Sequence, residues 1–157
     1  MTATSRLEPD VLEPERELSA LIARAPVDGA VVSFVGLMRP SGVGGEALDR
    51  LFLDHHPRLT AASLEDIASE ALERFGVTNT HIVHRCGAVA PGAPIMFAAA
   101  SARHRRAAFD AVDYLMDRLK TEALLWKRED GACGSTWIEP TTTDRTARQR
   151  WSEPWPE

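Results

Sequence analysis

With 157 residues, 44% hydrophobic and 26% charged, the chain has the size and usage of one globular domain, and its net charge of −5 excludes a broad basic surface for nucleic acid or anionic membranes. Cys86 and Cys133 are the only cysteines and form no CxxC pair, and no charged-then-apolar leader is read, so a cytoplasmic protein with reduced thiols is expected. No apolar run approaches the ~20 residues needed to cross a bilayer.

Residues 1–13 are polar and acidic with scattered prolines and are expected to form a flexible N-terminal extension. Pro14 to Ala23 carries Leu18, Leu21 and Ile22 at helical spacing. Residues 29–36, Gly-Ala-Val-Val-Ser-Phe-Val-Gly, read as a buried strand, and a glycine-rich loop expected to be flexible follows at 40–45. A second strand is predicted over 48–53. A helix over 60–75 puts Leu64, Ile67, Ala71, Leu72 and Phe75 on one face and stops at Gly76. Residues 80–86 and 94–100 predict two strands joined by a turn-rich connection at 87–92.

Ser101 is the expected N-cap of a long amphipathic helix over about 102–119, with the stripe Ala108, Val112, Leu115, Met116 and Leu119. Residues 124–128 and 136–139 predict a hairpin across Gly131 and Gly134. Residues 140–157 read as a tail docking on the domain or on a neighbouring subunit, because Trp151 and Trp155 are costly to leave in water. The changing periodicity predicts an α+β fold with mainly antiparallel pairing and a single domain at 14–139.

Between Arg103 and Arg128 seven basic residues face four acidic ones, so the local charge opposes the global one. Arg103, His104, Arg105 and Arg106 stand where the long helix begins, at the dipole end that disfavours cations; a bound anion would compensate them, and phosphate is the natural candidate. Lys120 and Lys127 flank an apolar Leu-Leu-Trp segment. Solvated surface lysines are the commoner reading of any such pair, yet Lys120 ends the apolar stripe beside Met116, and strand alternation puts Lys127 on the face of Leu125. A lysine in apolar surroundings can lose a proton, attack a carbonyl or hold a carboxylate-like group. Arg39, between the first buried strand and the glycine-rich loop, reads as ligand-facing or as an ordinary loop arginine.

His55, His56, His81 and His84 lack metal-ligand spacing and read as strand-surface residues, and the cysteines as inert small hydrophobes; neither a metal nor a nucleotide cofactor is expected. His104 and Lys120 lie roughly 24 Å apart on one helix. Either they serve different sites, or two copies pack so that the helix start of one meets the helix end of the other, as a two-fold dimer allows.

Taken together, Gly29 to Gly36 with Arg39, the Leu53-Asp-His-His-Pro57 run, His84-Arg-Cys-Gly87 with Pro91-Gly92, His104-Arg105 with Ala108-Phe109, Met116-Asp with Leu119-Lys-Thr121, and Trp126-Lys-Arg-Glu129 resemble the MoaE family, the large, catalytic subunits of molybdopterin synthase. The resemblance covers roughly residues 29–151 and implies an α/β hammerhead-type fold, a sulfurtransferase of molybdenum cofactor biosynthesis, and a homodimer within a heterotetramer. It also implies a small ubiquitin-like sulfur-carrier partner of the MoaD type, whose C-terminal Gly-Gly thiocarboxylate gives its sulfur to cyclic pyranopterin monophosphate (precursor Z) to build the molybdopterin dithiolene, with neither ATP nor metal. By the same resemblance Lys120 and Lys127 are catalytic, Arg39, Phe34 and Met116 belong to the substrate pocket, and His104 and Arg105 reach the substrate from the opposite subunit. The chain departs from the family's pattern at Thr141, where a basic residue is frequent and which Arg145 could replace, and at Pro40, where Asn is frequent. The alternative is a non-catalytic dimeric module that binds a phosphorylated small molecule or a partner's C-terminus and for which the lysines are dispensable.

Overall fold

The structure is a computed structural model that describes residues 1–152. In chain order its elements are β1 (Thr2–Glu8), α1 (Pro14–Ala23), β2 (Ala30–Leu37), β3 (Leu48–His55), α2 (Pro57–Phe75), β4 (Asn79–Arg85), β5 (Gly87–Val89), β6 (Pro94–Ala102), α3 (Arg105–Thr121), β7 (Leu125–Gly131), β8 (Gly134–Ile138) and α4 (Thr142–Gln149). They form two four-stranded sheets, β1-β4-β6-β2 and β5-β3-β7-β8, in which only β1 and β4 run parallel. The α+β expectation holds.

The first sheet is covered on both faces, and β6 shows how. Met96, Ala98, Ala100 and Ala102 pack with α2 and α3 through Leu64, Ala68, Ala111 and Leu115, while Phe97 and Ala99 turn the other way against Leu12 and Leu21 beside α1. Alanines on the helix side leave room for Ala108 and Ala111 of α3 to come close, so the helix backbone lies tightly on the strands. Gly29 completes the fit: a Cβ there would stand 2.5 Å from the Arg103 carbonyl oxygen, so only glycine lets the chain entering β2 pass the segment that leads into α3. The second sheet has a smaller core of Met38, Leu51, Leu53 and Val89.

Helix boundaries follow their caps. The predicted span of α1 matches the structure, with Pro14 in the first turn. The helix α2 starts three residues before the predicted Thr60, because Pro57 is pre-set for a first turn and His56 Nδ1 accepts the Leu59 N–H. It ends on Gly76 at φ 58°, as its left-handed cap requires. Ser101 is not the cap of α3: β6 continues through Ala102, the Ser101 hydroxyl accepts from Asn79 Nδ2 at 2.8 Å, and His104 takes the cap position without a side-chain cap bond.

The N-terminal end differs from expectation. Residues 2–8, expected to be flexible, form an edge strand paired with β4: Ala3 and Leu7 pack on the main core, while the Thr4 hydroxyl meets His81 Nδ1 at 2.7 Å and Arg6 reaches Glu17 at 2.5 Å. His81 is buried and also meets Glu17 at 2.8 Å; burial, which outweighs Glu17, holds its pKa below the ordinary value, so the neutral ring donates to Glu17 and accepts from Thr4. Residues 141–151 dock on their own domain. Helix α4 opens on a capping box between Thr141 and Asp144, and Trp151 packs edge-on against Phe75 and Tyr114, donating to Asp117 at 2.7 Å. Arg150 ion-pairs with Asp113 and Asp117, and Arg148 with Glu122. The expectation for Trp155 lies outside the described residues. No described helix is long and apolar enough to cross a membrane.

Candidate active site

A cavity of about 580 Å³ opens where the two sheets and the end of α3 meet. Phe34 of β2, Met116 and Lys120 of α3, Lys127 of β7 and Arg39 of the loop after β2 all line it, so five of the seven residues singled out in the sequence stand together. His104 and Arg105 do not. They sit at the opposite end of α3, one unbroken helix from Arg105 to Thr121, roughly 22 Å from Lys120 at the usual helical rise.

Lys127 owes its place to strand alternation. It pairs with Leu53 and Ile138, and the same-face Leu125 packs against the core of the second sheet. Burial lowers the pKa of its amine, the positive charge of Lys120 lowers it further, and Asp144 acts the other way. Lys120 leaves the last turn of α3, where the helix dipole favours a cation. The apolar surroundings expected around the lysines are only partial at Lys120, whose side chain is 53% exposed, with Nζ 3.6 Å from Asp144 Oδ1.

Arg39 is exposed at the cavity rim. The loop beyond it is less open than its glycines suggest: Ser41 bridges to Ala47, the Gly42 N–H donates to Glu46 O at 2.9 Å, and the Leu48 N–H donates to Pro40 O at 3.0 Å. At the far end of α3, Arg103, His104, Arg105 and Arg106 are all exposed, and Arg106 pairs with Asp110 at 2.9 Å. Among the described residues the side chains of Arg103 and Arg105 make no ion pair, which leaves two guanidinium groups open to an outside anion.

The residue missed by sequence reasoning is His84. Expected at a strand surface, it is instead 2% exposed and lines the cavity. Alternation from the core residue Ile82 on β4 was the signal that places it inward. Its Nδ1–H donates to Arg85 O at 2.8 Å, which sets the tautomer and leaves Nε2 as an acceptor. Burial, aided by the charge of Lys127, pushes its pKa down to about 4, so it is neutral at neutral pH. Glu129 and Ile138 complete the wall from β7 and β8. Cys86 is buried, as a small hydrophobe should be, but Cys133 is exposed in the turn between β7 and β8.

His84 gives the fold a pH dependence. As pH falls from about 6.5 towards 4 the unfolded chain takes up a proton that the native ring refuses, so stability declines through that window, by on the order of 2–3 kcal/mol at pH 4. Urea unfolding of the wild type and of His84→Asn at several pH values between 4 and 7 should show a shallower slope in the variant. Equal slopes would contradict a neutral buried imidazole.

A family model described as "MoaE protein" matches residues 7–122. The chain is 47% identical over 141 residues to the molybdopterin synthase catalytic subunit of Caulobacter vibrioides, covering 90% of this chain and 92% of that one. Its fold is similar to the molybdopterin biosynthesis MoaE protein of Burkholderia ambifaria, with a TM-score of 0.81 at 38% identity over 97% of this chain and 99% of that one. At fold level it also resembles a chain from the complex of subunits 1 and 2 of the Helicobacter pylori molybdopterin-converting factor, with a TM-score of 0.72 at 20% identity over 85% and 89% of the two chains.

Proposed function

The chain belongs to the MoaE family of molybdopterin synthase catalytic subunits, enzymes of molybdenum cofactor biosynthesis, and from that premise we propose that its cavity moves sulfur from the C-terminal thiocarboxylate of a small ubiquitin-like carrier onto cyclic pyranopterin monophosphate. The observation that carries this reading is the meeting of two lysines of different character at one cavity. Lys120, half-exposed at the rim, is a cation that can hold an incoming thiocarboxylate and aid acyl or proton transfer. Lys127, desolvated at the wall, loses its proton more readily and can orient the pterin with Arg39 while relaying a proton. Phe34 and Met116 supply apolar surface for a flat ring, and the neutral His84 offers an acceptor nitrogen beside them.

The active unit in this reading is a homodimer at the centre of a heterotetramer, with His104 and Arg105 of each copy binding the substrate phosphate of the other copy's cavity. Three features support it. The distance along α3 forbids one chain from bringing both groups together. The strand β2 is a sheet edge with Phe34, Val35 and Leu37 exposed, an arrangement that free edges of monomers avoid. A shallow depression joins that edge to the exposed Phe109 of α3 and runs to Lys120. The carrier's extended tail would enter the cavity from its open side, and the existence of a complex between the two Helicobacter pylori subunits favours such a partner. A cytoplasmic setting suits the two free thiols, Cys86 and Cys133.

Incubation with a thiocarboxylated carrier and the cyclic pterin, followed by mass detection, should yield the dithiolene product without ATP. A pterin recovered unchanged beside intact thiocarboxylate would overturn the assignment.

A further inference from the structure

Lys120 and Lys127 are like charges at one cavity, and the charge of Lys120 disfavours the Lys127 cation. The groups that face this end of the cavity are Asp113 and Asp117 on α3, Lys127 and Glu129 on β7, His84 on β4, Arg39 after β2 and Asp144 on α4. Arg150 engages both Asp113 and Asp117, and Trp151 also donates to Asp117, so those carboxylates are committed to the docked tail. His84 is neutral. Asp144 is the carboxylate that pairs with Lys120 among the described residues.

Its two oxygens are divided between two tasks. Oδ2 accepts from the Thr141 N–H at 2.8 Å and from the Thr141 hydroxyl at 2.7 Å, which ties the carboxylate into the first turn of α4. Oδ1 stands 3.6 Å from Lys120 Nζ. Trp151 and Arg150 fasten the end of α4 to Asp117 of α3, and Arg148 to Glu122 just after it, so the carboxylate is fixed relative to the helix that bears the lysine. Burial would raise the Asp144 pKa, but the bonds from Thr141 and the charge of Lys120 outweigh it and keep the group ionised. An ion pair this exposed adds little to the stability of a fold, so its effect lies in where it holds the ammonium. At 3.6 Å, and with three N–H donors on Lys120, the contact leaves donors free for the cavity.

We propose that Asp144 is a positioning residue for the reaction: anchored by the first turn of α4, it steers the Lys120 ammonium to the cavity rim and offsets the repulsion between Lys120 and Lys127. The inference rests on the proposed role of the cavity. It also gives the C-terminal helix a task in the chemistry although no described α4 residue other than Asp144 borders either depression.

The test uses the full chain with thiocarboxylated carrier and cyclic pterin. Asp144→Asn keeps the shape and an acceptor for the cap while removing the charge. It should lower kcat about tenfold with KM for the pterin changed less than about twofold and Tm nearly unchanged. Because Asp144 raises the pKa of Lys127, the kcat profile of the variant should move towards lower pH. Asp144→Glu should recover most of the loss. Unchanged kcat overturns the proposal, as does a rise in kcat, which would mark Asp144 as a competitor for Lys120. Equal losses in the Asn and Glu variants, or a loss that follows a lowered Tm, reduce Asp144 to a helix cap and also overturn it. Lys120→Ala is assayed alongside. Full activity there removes the reading of the cavity itself, whereas an inactive Lys120→Ala with a normal Asp144→Asn removes only the role of Asp144.

Discussion

Lys127→Ala protein should fold as well as the wild type or better and yet lose ~10³-fold or more in kcat for dithiolene formation. Two opposed effects meet at this residue. The ammonium is held where burial and the charge of Lys120 both disfavour it, so its removal relieves the fold of a strained charge. In the proposed function the same desolvated amine moves a proton in the cavity, so its removal should take away the chemistry. Lys120→Ala should match the loss of turnover without the gain in stability, because its side chain is half in water and its pair with Asp144 contributes little. Single-turnover kinetics and thermal unfolding on the same samples would separate the two effects. A Lys127 variant that is slow only in proportion to a lost Tm would show that the lysine serves packing. Binding of the carrier should survive both substitutions, since a Gly-Gly tail is recognised largely through its backbone.

The second large effect concerns the opposite end of α3. Arg105→Ala should leave Tm within experimental error, because the side chain is exposed and makes no ion pair among the described residues, and should cost most of the activity through loss of phosphate binding. Equal amounts of Lys120→Ala and Arg105→Ala chains, unfolded and refolded together, should then regain activity. In a mixed dimer one crevice lacks both groups and the other has both intact. Random pairing makes about half the dimers mixed, so recovery should approach about a quarter of the wild-type rate. Two groups that served separate crevices within each chain would give no recovery at all, and the shared-site reading would fall.

Legibility in the sequence followed how local the determining physics was. The helix α1 was read to the residue because Pro14 and a 3.6-residue apolar repeat both lie inside it. Strand β1 was not, since Thr2 to Glu8 alternates small and polar groups whose burial depends on β4, 77 positions away at Thr2 and Asn79. The start of α3 was misplaced by three residues because Ser101 looks like a cap locally, whereas its hydroxyl is committed across the sheet to Asn79. The helix α4 carries no apolar stripe. Its capping box is written in Thr141 and Asp144, but what holds it is a tryptophan packed on α2 and α3 and two arginines on carboxylates of α3 and the residue that follows it. In the site, the lysines and Arg39 were legible by charge against pattern. His84 was missed although alternation from Ile82 on the same strand pointed it inward, because a lone histidine without metal-ligand spacing looks like a surface residue.

The run of alanines on β6 has a consequence for how this chain can change. With Ala98, Ala100 and Ala102 beneath α3, a bulkier side chain would lift the helix, and one inserted residue would turn its last stretch by about 100° and swing Lys120 off its bearing. The helix thus behaves as a gauge block of set length. In the proposed symmetric pair the same block would space both crevices, so any drift in its dimension would be felt twice, once at the amine it carries and once at the guanidinium it would lend across the axis.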